Sequence, residues 1–256
     1  MYREFETKTS YKYLKKVINK LKEPICILGG WAIFFSVNDR FQKAQGRPYL
    51  GSRDIDLGFH MDGKLNKSVL AETINILKDK LKFKPLSFRL FKEIHTETEE
   101  EIQEGQIIPA HFVFPMYIDL IVDNIPNDFK KVFGFNPIDE PLLEFVFDDK
   151  NNRKIVKEFN KKLLLPKPEL LLAMKLNSLP HRDKEHKRIK DICDIFVILW
   201  YSSLEQENIK EKVSKFITQT DIKKSIRIIK KTDLEKVSPQ INHSVEEIAK
   251  VLNLLK

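Results

Sequence analysis

At 256 residues, with 42% hydrophobic and 32% charged side chains, the chain is long enough for one large domain or two modest ones and apolar enough to bury a core. Its net charge of +8 and sequence pI of about 9.2 favour polyanionic partners: nucleic acid, nucleotides or phosphates. The longest apolar run, "ICILGGWAIFF", is far short of the roughly 20 residues a membrane-spanning helix needs. The charged opening "MYREFETKTSYKYLKK" lacks a signal peptide's apolar stretch, so a cytoplasmic protein with no membrane partner is expected. Cys26 and Cys193 each lie in an apolar run, which suits buried thiols rather than a disulfide framework or a metal site.

In chain order, Leu14, Val17, Ile18 and Leu21 recur at helical spacing and predict a helix over 9–22. "EPICIL" reads as a short buried strand, and "GGWAIFFSV" as an apolar helix opened by two glycines. Residues 38–51 mix Asn, Asp, Gly and Pro with charges and read as a loop; "RDIDLGF" is the next strand. A helix is predicted over 65–80, with Leu65, Val69, Ile74, Leu77 and Leu81 near one face. Residues 83–123 supply the successive strands "FKPLSFRLFKEI", "GQIIPAHFVF" and "MYIDLIVD", with the acidic "EEEIQEG" as a loop. "LLEFVF" and "NRKIVKEFNKKLLL" are expected as further strands joined by a turn at "DDKNN".

The pattern changes at Pro166 and Pro168, the latter suited to the first position of a helix. Beyond it the period is helical: Ile189, Ile192, Cys193, Phe196 and Leu199 share a face over 187–200, and three further helices are expected near 205–217, 221–231 and 243–255. The fold class is therefore α+β. A mixed sheet flanked by helices occupies residues 1–165, and an all-α domain occupies residues 166–256.

In "GSRDIDLGF" the strand period projects Asp54 and Asp56 to one side while Ile55 and Leu57 face the core. Two adjacent carboxylates either line the wet side of an edge strand or share a divalent cation such as Mg²⁺, which prefers hard oxygen ligands. Three features bear on the choice. Gly29 and Gly30 open a helix, where free N–H groups and the helix dipole favour phosphate. Asp119 interrupts the apolar run "YIDLIVD", and a charge inside such a run is rarely buried unless paired or on a metal; Asp123 shares its face but lies at the strand end. Ser52 and Arg53 precede the acidic pair, with a hydroxyl able to donate to a phosphate oxygen.

The order "LGG", "RDIDL", "YIDL" resembles the DNA polymerase β-like nucleotidyltransferase superfamily. That resemblance implies that Asp54, Asp56 and Asp119 hold two Mg²⁺ ions and that Gly29, Gly30 and Ser52, beside Arg53, approach the phosphates of an NTP such as ATP. Two features depart from its pattern: the long interval 31–53 before Asp54, and the large Trp31 directly after the glycines, which either narrows the phosphate site or turns into the core.

Farther along, "PELLLAMKLNSL" and "RDKEHKRIKDICDIFVIL" place Lys175 in an apolar helix and Lys190, Asp191 and Asp194 on the next. By spacing alone these are a snorkelling lysine and a solvated charge run. The same stretches resemble the AbiEii/AbiGii type of nucleotidyltransferase, which includes toxins of type IV toxin–antitoxin systems. The resemblance implies that Lys175 contacts NTP phosphates, that Asp191 near Lys190 completes the catalytic set, and that a cognate antitoxin is a partner.

The resulting expectation is a Mg²⁺-dependent enzyme that transfers NMP from an NTP to an acceptor hydroxyl, with Asp119 or Asp191 activating the acceptor. The basic "HRDKEHKRIK" either guides an RNA such as a tRNA end or forms a solvated helix face. The alternatives are a catalytically silent nucleotide- or RNA-binding module and a small-molecule, aminoglycoside-type nucleotidyltransferase. The six histidines are scattered, so zinc sites and Ser/His/Asp or Cys/His catalysis have no signature.

Overall fold

The computed structural model describes residues 2–61 and 68–256, so Leu65, expected in a helical stripe, lies outside the described residues. The chain divides into two compact units, residues 2–31 with 51–165 and residues 32–50 with 166–256. In chain order the elements are α1 (Glu4–Ile18), β1 (Ile25–Ile27), α2 (Gly29–Gln45), β2 (Ile55–Phe59), α3 (Val69–Asn75), β3 (Lys84–Leu86), β4 (Arg89–His95) and β5 (Val113–Val122). There follow α4 (Phe129–Phe133), β6 (Ile138–Asp139), α5 (Glu144–Asp148), β7 (Arg153–Glu158), β8 (Lys161–Pro166), α6 (Pro168–Ser178) and α7 (Glu185–Tyr201). Four shorter helices close the chain: α8 (Ile209–Val213), α9 (Gln219–Arg227), α10 (Lys231–Ile241) and α11 (Val245–Leu252).

The first unit is built on one mixed sheet of order β3-β4-β5-β2-β1-β8-β7, with β6 also pairing with β5. β2 runs parallel to β5 and antiparallel to β1, which in turn runs parallel to β8. Ile55 and Leu57 on β2 and Ile118 and Leu120 on β5 are fully buried, as the alternation of "DIDL" and "YIDL" requires. α1 buries Leu14, Val17 and Ile18, each contributing about 1.5–3 kcal/mol. Its Phe5 meets Phe114 edge-on at 5.7 Å, and its Tyr13 meets Phe83 at 6.2 Å. The second unit is helical, with Ile192, Ile195, Phe196 and Ile198 of α7 in its core and Phe41 edge-on to Tyr49 and Tyr201, 5.1 Å from each. The expected α+β class, a mixed sheet flanked by helices followed by an all-α segment, is what the structure shows.

Several boundaries differ from the sequence reading. α2 runs on to Gln45 through the segment expected to be a loop, because Ile33, Val37 and Phe41 continue a buried stripe four residues apart that polar neighbours do not interrupt. "FKPLSFRLFKEI" is a hairpin, β3 and β4, folded at Ser87 with φ +57. "GQIIPAHFVF" and "MYIDLIVD" are not two strands: the first half is irregular, and Val113–Val122 is one strand. Pro115 is tolerated inside β5 because it pairs with β4 before β2 joins at Ile118. "LLEFVF" is helical: Pro141 opens a 3₁₀ turn in which Glu140 accepts from the Leu142 N–H, and α5 follows. The hairpin of β7 and β8 turns instead at Phe159–Asn160, both at positive φ, the backbone of a tight two-residue turn. α10, unforeseen, carries Leu234, Val237 and Ile241 inward despite Pro239 and ends on left-handed Asn242.

Candidate active site

The sheet brings the three expected carboxylates onto one face. Asp56 and Asp119 are directly paired across the parallel β2–β5 ladder, and Asp54 lies two residues before Asp56. Asp119 is buried, and its carboxyl is raised to about 7, first by burial and then by the charge of Asp56, with Arg89 pulling the other way. Oδ1 of Asp54 and Oδ1 of Asp119 are both buried with no hydrogen-bonding partner.

Asp54 and Asp119 meet Arg89, which lies across the β4–β5 ladder from Asp119. Its Nη2 donates to Asp119 Oδ2 at 2.6 Å and lies 3.7 Å from Asp54 Oδ2. The guanidinium sits 4.2 Å from the Tyr117 ring centre and 5.1 Å from that of Phe88. Arg89 was not singled out from the sequence. The rule that flagged Asp119, a charge alternating with apolar residues in a strand, applies equally to "FRLF" and was the available signal.

Gly29 earns its place by close approach. It begins α2 at φ +56, and a Cβ built on it would lie 1.7 Å from Asp56 Oδ2. The Leu28 N–H donates to the Asp56 carbonyl at 3.0 Å, locking the strand end to the glycine turn. Gly30 is buried in the first turn of α2. Trp31 turns into the core: its indole N–H donates to Ser10 Oγ at 3.1 Å, and its ring rests on Gly51, whose added Cβ would lie 2.8 Å from it. Ser52 is buried, while Arg53 pairs with Glu6 at 3.4 Å and lies 5.1 Å from the centre of the Phe114 ring. Asp123, at the end of β5, accepts from the Met61 N–H and pairs with His60.

No family model matches the chain, and no curated protein matches it. A solved structure described as an antigenic nucleotidyltransferase-like protein from Paracoccidioides brasiliensis is similar at 15% identity, over 94% of this chain and 93% of that one, with a TM-score of 0.41. A likeness of that degree carries no argument about activity, so the site stands on its own geometry.

The remaining expected residues lie in the helical unit and form a closed network there. Lys175 Nζ is 2.6 Å from Asp191 Oδ1 and 2.9 Å from Asp194 Oδ2. Asp191 Oδ2 also accepts from Arg182 Nε at 2.5 Å. Asp194, with no exposed side-chain surface, pairs with Lys190 one turn back and accepts from the Tyr49 hydroxyl at 2.7 Å. Burial alone would raise the Asp194 carboxyl, but Lys175 and Lys190 hold it below the ordinary range. Burial would likewise lower the Lys175 ammonium, and Asp191 and Asp194 keep it above its usual value.

The donor set of the sheet site suits a hard divalent cation: three carboxylates on one face, two of them with unpartnered buried oxygens, and one held against a glycine. Among the described residues no three acidic, His or Cys side chains are grouped closely enough to hold a metal ion, and Asp54 and Asp119 both meet Arg89. Among the described residues no helix is long and apolar enough to cross a membrane.

Proposed function

We propose that the chain is a Mg²⁺-dependent nucleotidyltransferase that moves a nucleoside monophosphate from an NTP to an acceptor hydroxyl. The observation that supports this reading is Asp56 and Asp119 paired across the parallel β2–β5 ladder with Asp54 in the bend just before β2, and with a buried oxygen on each of Asp54 and Asp119 that has no hydrogen-bond partner. These three residues would hold two Mg²⁺ ions, which, when bound, supply charge neutralisation at the triphosphate and at the reacting phosphorus. Gly29 and Gly30 offer the N-terminal N–H groups of α2 to phosphate oxygens, and the Ser52 hydroxyl adds a donor. Gly29 also fixes the Asp56 carboxylate by leaving it room.

Asp119, paired with Asp56 across the ladder, is the group we assign to take the proton of the acceptor hydroxyl as that oxygen attacks the α-phosphorus and pyrophosphate departs. Asp191 is the weaker candidate for that role, since Lys175 and Arg182 already engage its two oxygens. For the same reason we assign Lys175 and Lys190 to holding Asp191 and Asp194, not to the NTP. An RNA acceptor such as a tRNA end accords with the net charge of +8 and with the exposed Lys184 and His186 in the basic segment. A toxin-like role with a cognate antitoxin is the narrowest form of this proposal and rests on the sequence resemblance.

The test is incubation with each α-labelled NTP, Mg²⁺ and total RNA, or an aminoglycoside as small acceptor. Label should pass to an acceptor with the wild type and not with Asp54→Ala; transfer that survives Asp54→Ala sinks the assignment. One observation favours a second reading, a silent nucleotide-binding module: Arg89 already neutralises part of the carboxylate charge. That reading is selected by Mg²⁺-dependent NTP affinity without pyrophosphate release for any acceptor.

A further inference from the structure

Arg89 pairs with the carboxylates in an unusual way. A structural Arg–carboxylate bridge commonly uses two parallel N–H bonds from the guanidinium fork. Here both contacts run through the single Nη2, to Asp119 at 2.6 Å and to Asp54 at 3.7 Å, and Nε is buried with no acceptor. Asp54 Oδ1 and Asp119 Oδ1 are unpartnered as well. The guanidinium is nonetheless held in place by the faces of Tyr117 and Phe88, with only 14% of its side chain exposed. A cation kept close by ring stacking but imperfectly bonded to its anions suits a counter-ion that can be displaced, not a permanent clasp.

We infer that Arg89 is a built-in counter-cation that keeps Asp54 and Asp119 together in the unloaded protein and competes with the divalent ion for them. The inference rests on the reading that these carboxylates take such an ion. Loading the site then breaks the Nη2 contacts to Asp54 and Asp119, while Tyr117 and Phe88 retain the guanidinium beside the site. Arg89 is thus a positioning residue that sets how tightly the carboxylates take a divalent ion.

The test is Mn²⁺ titration of the full chain, with free Mn²⁺ read by electron paramagnetic resonance, for wild type, Arg89→Gln, Arg89→Lys and Asp54→Asn. Removing a positive charge a few ångströms from the ion should tighten Mn²⁺ binding by Arg89→Gln at least about tenfold. Arg89→Lys, which keeps the charge, should stay within about threefold of wild type, and Asp54→Asn should lose the site. A merely structural arginine gives the opposite pattern, weaker binding or none of the gain. Equal or weaker binding by Arg89→Gln, with wild-type binding still dependent on Asp54, overturns the inference and leaves the site standing. No Asp54-dependent binding in wild type or Arg89→Gln overturns both. Should Arg89→Gln not fold, Arg89→Met carries the same expectation, since it keeps an apolar stem over Tyr117. In the wild type, saturating Mg²⁺ should shift the Arg89 guanidinium resonance, and an unmoved signal also overturns the inference.

Discussion

The two acidic groups of this chain use the same side chains to opposite ends. On the sheet, Asp54 and Asp119 share the Arg89 guanidinium, and one buried oxygen of each lacks a hydrogen bond. In the helical unit, two carboxylates, Asp191 and Asp194, meet Lys175, Lys190, Arg182 and Tyr49, so that cations outnumber anions. In the first, Asp54 and Asp119 meet the single Nη2 of Arg89; in the second, each carboxylate meets at least two donors. Burial differs between them: Asp119 is buried but Asp54 and Asp56 are half-buried, whereas Asp191 and Asp194 are both buried. So does the number of donors that meet each carboxylate; an oxygen without a hydrogen bond does not, because Asp194 Oδ2 shares that state, 2.9 Å from Lys175 Nζ.

The comparison breaks most readily at Asp194. Asp194→Ala leaves Lys190 without its carboxylate in a buried setting and should cost roughly 3–5 kcal/mol of stability in urea denaturation. A loss under about 1 kcal/mol would mean the network is not the closed structural unit described, since that is the range of an ordinary surface change. Next in size is Gly29→Ala. The left-handed backbone and the contact with Asp56 should together cost about 2 kcal/mol, and divalent binding should weaken in parallel. Stability equal to wild type would show that Asp56 is not pinned by the glycine turn.

How far the sequence announced these groups is clearest residue by residue. Asp54, Asp56 and Asp119 were legible because strand alternation is local and an acid inside an apolar strand stands out. Gly29 was legible as a turn, but not as the space occupied by a carboxylate 27 positions later, a contact set only when β1 and β2 pair. Arg89 was missed for the same reason: its partner Asp119 lies 30 residues away, and only the β4–β5 register joins them. In the helical half, spacing placed Asp191 and Asp194 on neighbouring positions of α7 but said nothing of Lys175 and Tyr49, which arrive from other segments. The extent of α2 and the existence of α10 depended on buried stripes that polar residues and Pro239 obscured.

Smaller effects sharpen the contrast. Asp54→Asn should change stability by less than about 1 kcal/mol, because it removes like-charge repulsion along with a 3.7 Å contact to Arg89. A much larger loss in thermal or urea unfolding would assign Asp54 to the scaffold.

The two groups should also answer pH with opposite signs. The folded Asp119 carboxyl is raised to about 7 from an ordinary 3.8, so its contribution favours the fold below that ordinary value and is lost as pH rises through 7. Wild-type stability relative to Asp119→Asn should therefore fall between about pH 4 and pH 7 and level off above that. The folded Asp194 carboxyl is lowered, so its contribution is present above the ordinary carboxylate value and disappears as pH drops below it. Wild type relative to Asp194→Asn should be flat from pH 5 to 8 and converge only in acid. Parallel profiles for the two pairs would erase the distinction.

The most direct measurement is the Mn²⁺ affinity of the wild type beside two charge-neutral variants, Asp56→Asn on the sheet and Asp191→Asn in the helical network. An ion-binding sheet site predicts that Asp56→Asn loses at least about 100-fold in affinity while Asp191→Asn stays within about threefold of wild type, a difference of roughly 2 to 3 kcal/mol in binding. Equal losses in the two variants, or a loss confined to Asp191→Asn, would contradict the account.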